Sequence, residues 1–285
     1  MAMTIPPCGK DRAIVIAALP RGGSNILWNL IASHPSVCLP RYEVREIIGR
    51  LGVVGKLIRK GFGLSPVIGP ILRARFKSVA YDLKIACLED EDQGQAAPDR
   101  RYRQEEIEET VVCLKSLMDD VALSSFIAAT YAQCHFIGLV RNGFAFCDGV
   151  VRRGGSAEDA ARLYSRTVNQ ILSQAETCEH FDVIRFEDVL EDPFAVSEKL
   201  FRFLGLEPST LEHLRLKAKG KRGASGDYGV GFGEVDRHYW FDREEIVRAL
   251  DPRIDKRQAD CLSLSDRRTF GRIAELELAR FGYLE

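Results

Sequence analysis

Residues 12–40, RAIVIAALPRGGSNILWNLIASHPSVCLP, set an apolar run, a glycine turn and a helical period in immediate succession. Ala13 to Leu19 carries no charge and is rich in β-branched residues, the pattern of a strand buried on both faces. Pro20 ends the run. Arg21-Gly22-Gly23-Ser24-Asn25 then reads as a turn in which glycine permits positive φ and a close approach to bare backbone. Ile26, Leu27, Leu30 and Ile31 recur at helical spacing, and Pro35 disfavours helical geometry at His34, so the helix is expected to stop near Ser33.

Strand, glycine turn and helix together point free backbone N–H groups and a positive dipole end at an anion. An ordinary β–α turn that uses glycine for shape alone is the bland alternative. Arg21 favours the anion reading, because a guanidinium at the mouth of such a turn suits a phosphate or sulfate better than it suits packing. The ATP/GTP pattern GxxxxGK[ST] is absent, since no lysine follows the glycines.

With 285 residues, 46% of them hydrophobic, and a formal net charge of -1, the chain fits one large domain over residues 1–285 and not a nucleic-acid coat. The N-terminus lacks a signal-peptide pattern, and no apolar run reaches membrane-spanning length. A cytoplasmic protein without a membrane span is the expectation. The eight cysteines include no CxxC pair and the five histidines show no ligand spacing, so no metal is expected.

Further along, Arg41 to Glu46 lies just past the first helix, where Glu43 is either a general base or a first-turn acid of the next helix. Residues 47–76 mix Ile, Leu and Val with Lys56, Arg59, Lys60, Arg73 and Arg75; this stretch, with Lys77 beyond it, either meets an anionic partner or forms a solvated helix face. Ser78 to Ile85 alternates loosely, as a strand would, and Glu89 to Arg103 reads as a mobile loop. Buried strands are expected at Thr110–Leu114, ending at Lys115-Ser116, at Cys134–Val140, ending at Arg141, and at Phe181–Phe186. An amphipathic helix is expected over Asp119–Ala132. Another helix carries Asp148, Arg152 and Arg153, a third runs from a Ser156 cap to about Cys178, and a fourth starts at Pro193 and stops at Leu204-Gly205. This alternation predicts an α/β three-layer sandwich with a largely parallel central sheet. The basic, Gly-rich stretch from Lys217 to Gly233 is either a solvated segment or an anion-binding flap, and the residues from Phe241 onward read as helices.

In this order the motifs resemble those of the sulfotransferases that use 3′-phosphoadenosine 5′-phosphosulfate (PAPS), a family with a P-loop-like architecture. Leu19 to Asn25 with His34-Pro35 is similar to the family's 5′-phosphosulfate loop, Phe136 to Gly143 to its 3′-phosphate strand and turn, and Val183 to Val189 with Phe203 to Leu206 to its third conserved pair of motifs. The resemblance implies that Arg21, Gly22, Gly23, Ser24 and Asn25 hold the 5′-phosphosulfate, that Arg141 holds the 3′-phosphate, and that Lys115 touches the bridging oxygen. It further implies that Lys221, Arg222 and Gly223 close over the 3′-phosphate, and, with one residue of slippage, that Glu43 is the catalytic glutamate. Gly149 stands where the family usually has Ser, so that contact is lost, replaced by a neighbour, or supplied by Arg153 and the basic loop; Asn25 replaces a usual Thr or Ser, and Phe186 a common Tyr.

By this resemblance the chain moves a sulfuryl group from PAPS to an acceptor hydroxyl of a glycan, glycolipid or small molecule, with Glu43 as base and with Arg21 and Lys115 stabilising charge. Glu46 and Asp82 stand as substitute bases, and His34 as a helix-end residue. Two rivals remain: a kinase-like phosphotransferase, and a catalytically weak sulfotransferase-like module that binds a nucleotide or a partner.

Overall fold

The computed structural model describes residues 9–89, 104–208, 211–222 and 228–284, with side chains left aside at 88, 89, 104, 221, 222 and 228–230. The first part of the chain runs β1 (Arg12–Ala18), α1 (Ser24–Ile31), β2 (Val37–Cys38), α2 (Val44–Arg50), α3 (Val53–Arg59), a 3-10 turn (Phe62–Leu64), α4 (Gly69–Glu89) and α5 (Gln104–Glu109). Then come β3 (Val111–Leu117), a 3-10 turn (Met118–Leu123), α6 (Ser124–Ala128), β4 (Gln133–Val140), α7 (Gly143–Val151), α8 (Ala157–Thr177), β5 (Phe181–Arg185), α9 (Phe186–Glu191) and α10 (Pro193–Phe203). The last part holds β6 (Leu214–Lys217), β7 (Gly220–Arg222), β8 (Tyr228–Val230), β9 (His238–Phe241), α11 (Arg243–Ala249), α12 (Ile254–Asp260), α13 (Leu264–Ile273) and α14 (Glu275–Arg280).

Five strands form one sheet in the order β2-β3-β1-β4-β5, and every pairing in it is parallel. β1 lies at the centre, with Ile16 beside Lys115 of β3 on one side and Ile137 of β4 on the other. Alternate residues of β1 feed two different cores. Ile14, Ile16 and Ala18 pack with Leu27, Leu30 and Ile31 of α1 and with α9 and α10, whereas Ala13 and Val15 pack with Val44, Ile47, Leu72 and Phe76 of α2 and α4. This period-two division makes a three-layer α/β sandwich. Because β3 and β4 flank β1 on opposite sides, the chain reverses its winding there, and the crevice at the carboxyl end of β1 is where ligands of open parallel sheets bind.

Several sequence expectations change. Ser78–Ile85 is not a strand but part of α4, whose buried residues Leu72, Phe76, Ala80 and Lys84 recur every fourth position; the loose alternation was one face of a helix. β3 continues through Lys115 to Leu117. The helix expected over Asp119–Ala132 divides into a 3-10 turn and the short α6, although Val121, Phe126, Ile127 and Tyr131 are buried. Two-residue β2 went unforeseen, and the stretch after α10 contains two antiparallel pairs, β6 with β9 and β7 with β8. The loop expected to be mobile, 89–103, lies outside the described residues apart from Glu89 at the end of α4. The helix limits near Ser156, Pro193 and Gly205 agree with expectation: Ser156 Oγ accepts from the Asp159 N–H, Pro193 opens α10, and Gly205 has φ 65°. Among the described residues no helix is long and apolar enough to cross a membrane.

Candidate active site

Beyond the carboxyl ends of β1, β3 and β4 lies a cleft of about 610 Å³, lined among others by Arg21, Gly23, Ser24, Asn25, Glu43 and Arg141. Its floor is the turn between β1 and α1. Gly22 N–H donates to the Leu19 carbonyl at 3.1 Å, and Arg21 and Gly23 both take left-handed backbone, with φ 59° and 87°. Gly23 is required twice over. A Cβ there would sit 2.1 Å from the Phe186 ring as well as adopting a conformation that L side chains avoid. The N–H groups of Gly23, Ser24 and Asn25 have no acceptor among the described residues, so the start of α1 presents bare donors to the cleft.

Lys115 stands beside this turn. Although 1% exposed, its Nζ donates to Asn25 Oδ1 at 2.6 Å, pairs with Glu43 Oε1 at 2.7 Å and lies 4.4 Å from the Trp28 ring centroid. Trp28 is itself fixed by an Nε1–H donated to the Cys113 carbonyl at 2.8 Å. Burial pushes the Lys115 ammonium below the usual lysine range, while Glu43 pulls it back up. Both readings of the acids after α1 turn out to have an owner. Glu43 is the N-cap of α2 in a reciprocal capping box with Glu46, whose Oε2 accepts the Glu43 N–H at 2.9 Å, and the same Glu43 carboxylate also faces Lys115.

Arg141, at the end of β4, is held from several sides. Its Nε donates to Asp255 Oδ2 at 2.9 Å, Nη2 to Asp255 Oδ1 at 2.5 Å and to Gln258 Oε1, and Nη1 to the Arg21 carbonyl at 2.7 Å. Its own carbonyl accepts from Tyr164 Oη at 3.0 Å. The fork geometry of the guanidinium thus ties α12 to the left-handed turn at Arg21. Behind it Glu187 accepts from the Asn142 N–H at 2.7 Å and from Tyr283 Oη at 2.6 Å, and burial pushes its carboxyl up.

The cations of the cleft therefore fall into two groups. Lys115 and Arg141 are committed to carboxylates, and Lys217 pairs with Asp236 at 3.2 Å. The side chains of Arg21 and Lys219 have no hydrogen-bond or ion-pair partner among the described residues. Lys219 falls in the basic stretch Lys217 to Gly233 that the sequence leaves open as an anion-binding flap, but is not singled out there; burial, and then the charges of Lys115 and Lys217, push its ammonium down. Only its place two residues past β6 puts it in the cleft, as β6 packs on α1.

The remaining candidates divide. Arg153 follows α7, away from the cleft lining, and its Nη1 donates to the Gly149 carbonyl. A Cβ at Gly149 would meet only Arg153 Nη1, at 3.6 Å, so the missing serine leaves space rather than a clash. Lys221 and Arg222 belong to β7 by backbone, and Gly223 lies outside the described residues. Asp82 sits on α4, outside the cleft lining. His34 is buried: Nδ1 accepts the Ser36 N–H at 3.0 Å, Nε2 meets the Glu207 carbonyl at 3.2 Å, and the ring packs edge-on against Phe201.

A parallel α/β sandwich with a glycine turn and a cationic cleft at the winding reversal defines the class. The chain belongs to the sulfotransferase family, whose model matches residues 13–210. Among solved structures, the sulfotransferase domain from the Synechococcus PCC 7002 olefin synthase is similar at 19% identity and a TM-score of 0.51, with 96% of each chain covered. The sulfotransferase domain from the curacin biosynthetic pathway is 20% identical, with 95% of this chain and 97% of that one covered and a TM-score of 0.49. At such identities the first likeness speaks for the fold alone. No curated protein matches the chain.

Proposed function

We propose that this protein is a sulfotransferase that moves a sulfuryl group from PAPS to an acceptor hydroxyl, acting as one domain over residues 1–285. The observation that carries this reading is the contact of Lys115 with both Asn25 of the glycine turn and Glu43 at the cleft. It sets a buried cation between an anion-binding backbone and a carboxylate.

The residues fit such a donor. Bare N–H groups at Gly23, Ser24 and Asn25 and the unpartnered side chains of Arg21 and Lys219 offer what a phosphosulfate and a nucleotide phosphate need. When bound, PAPS supplies the sulfuryl group and a phosphate leaving group. Glu43 takes the proton of the acceptor hydroxyl, whose oxygen forms the new S–O bond as the bond to the bridging oxygen breaks. Lys115 and Arg21 stabilise the charge that gathers on the bridging and sulfuryl oxygens, and the turn holds the reacting groups in line. The acceptor remains a hydroxyl compound of the glycan, glycolipid or small-molecule kind.

A second reading, a module that binds a nucleotide or partner without transfer, draws on the commitment of Arg141 to Asp255 and on the open space at Gly149. One experiment separates them. Calorimetric titration with 3′-phosphoadenosine 5′-phosphate (PAP) and with ATP, on the protein and on Arg21→Ala, is followed by assay of PAP release from PAPS with a panel of hydroxyl acceptors. Selective PAP binding that weakens in the variant, together with acceptor-dependent release, supports the enzyme. Binding without release supports the module, and absence of PAP binding overturns the enzyme.

A further inference from the structure

Between Ile47 and Tyr81 the sequence holds seven lysines and arginines and not one Asp or Glu, in a chain whose net charge is -1. The same stretch contains five of the ten large hydrophobic side chains that stand exposed among the described residues: Val53 (72%), Phe62 (44%), Leu64 (53%), Val67 (79%) and Ile71 (70%). They are not the core face of these elements. Ile58, Leu72 and Phe76 turn inward and are buried, so α3, the 3-10 turn and the start of α4 have an apolar side to spare.

The three elements make one surface. The 3-10 turn packs on both α3 and α4, and α3 packs on α2. Gly63 fits against the Phe126 ring at a distance that no Cβ would allow, and Arg73 Nη1 donates to the Gly63 carbonyl at 2.8 Å. Phe62 and Leu64 are thus carried on a fixed turn. Around them the cations differ in commitment. Arg59 Nη1 pairs with Asp120 at 2.6 Å and Lys77 pairs with Asp11, whereas Lys56, Lys60 and Arg75 are exposed and have no acidic partner among the described residues.

We propose that this face docks the protein on a bilayer containing anionic lipids. Exposed aliphatic and aromatic side chains rimmed by Lys and Arg without acidic partners match the two demands of an interfacial site, apolar groups to enter the acyl boundary and cations to meet phosphate; the acids at its border are themselves paired, Asp119 beside Leu64 with Arg166 and Asp120 with Arg59. An acidic protein surface would use the cations and gain little from Val67 and Ile71. A second copy would set seven cations against seven. The proposal is independent of the chemistry in the cleft, although α2, on which α3 packs, begins next to Glu43, so a docked protein would hold that residue one helix away from the lipid.

The test is co-sedimentation of the full chain with vesicles of phosphatidylcholine alone and of phosphatidylcholine mixed with phosphatidylglycerol, at low and high salt. The expected result is binding to the anionic vesicles only, weakened by salt. Lys56→Gln/Lys60→Gln should reduce it by about fivefold per lysine, and Val67→Asp/Ile71→Asp should reduce it at least as much. Both pairs are exposed, and unchanged thermal melting and PAP affinity would show that each variant is folded with its cleft intact. Absence of vesicle binding overturns the proposal. So does vesicle binding indifferent to the Val67/Ile71 pair, which would mark a purely electrostatic surface for an acidic partner. Failure to bind vesicles together with a concentration-dependent dimer that Val67→Asp/Ile71→Asp dissolves would assign the face to a second copy.

Discussion

Lys115 Nζ and Glu43 Oε1 lie 2.7 Å apart, joining a residue inside the central sheet to the one that opens α2. Each holds the other in place, and Glu43 steadies the Lys115 charge: burial works against the ammonium, and the carboxylate opposes that effect. Glu43→Gln keeps the shape and removes the base, so turnover of PAPS should fall by about 10²–10⁴-fold with PAP affinity little changed. Lys115→Ala should depress turnover by roughly 10²–10³-fold, by the analogy of a lost charge-stabilising donor. Steady-state rates beside calorimetric affinities decide the matter, and an unchanged rate in either variant removes that residue from the mechanism.

Lys219 gives a contrasting outcome. It has no partner to lose in the free protein, so Lys219→Ala should leave thermal melting within about 1 °C, the shift expected of a surface change of a few tenths of a kcal/mol. PAP affinity should fall by about tenfold, as for loss of one charge-assisted hydrogen bond, and the difference should shrink as salt is raised. Equal affinities at low salt would show that the lysine does not reach the ligand.

Gly23→Ala should damage the turn itself. The added methyl meets the Phe186 ring and must adopt φ 87°. Together these effects should cost about 3 kcal/mol and lower Tm by roughly 5–10 °C. Gly52, with positive φ and nothing within 4 Å of a built Cβ, is the control that carries backbone strain without the clash.

Acid sensitivity should pass in part through His135. It is buried, stacked on His180 with centroids 4.9 Å apart, and burial followed by the His180 charge lowers its pKa to about 4. The unfolded chain binds a proton there near pH 6.5 while the folded chain resists until about pH 4. Stability from this group is therefore present above pH 6.5 and is lost as the pH falls towards 4, amounting to about 2 kcal/mol when partial solvation of the ring is allowed for. Denaturant melts across that window should show wild type losing about 2 kcal/mol relative to His135→Phe as the pH falls; parallel curves would refute the assignment.

What could be read from sequence was what depends on neighbours in the chain. β1, β4 and β5, the glycine turn and the Ser156 and Pro193 helix starts each rest on local pattern or cap chemistry. Glu43 and Lys115 were both chosen, but their contact spans 72 positions and follows from the sheet order. The stretch taken for a strand at Ser78–Ile85 shows the limit of a short window, in which a helix with a fourth-residue period passes for alternation. β2 is too short to leave a pattern. Lys219 and Asp255 could not be placed for a different reason: Lys219 is one cation among several in a basic stretch and Asp255 belongs to no motif, and the first reaches the cleft and the second Arg141 only because a late element packs against an early one.

The tie between Arg141 and Asp255 gives the molecule an order of assembly. The glycine turn is encoded long before α12, yet its Arg21 carbonyl is held by an arginine that is itself neutralised by a carboxylate from α12, beyond the segment matched by the family model. A ribosome would release β1 and α1 long before it released Asp255. Until then Arg141 would be a near-buried cation without its acid, and the turn would lack its brace. During synthesis the anion site is thus begun well before it is completed, so a nascent chain can bury much of its sheet before it can grip a phosphate.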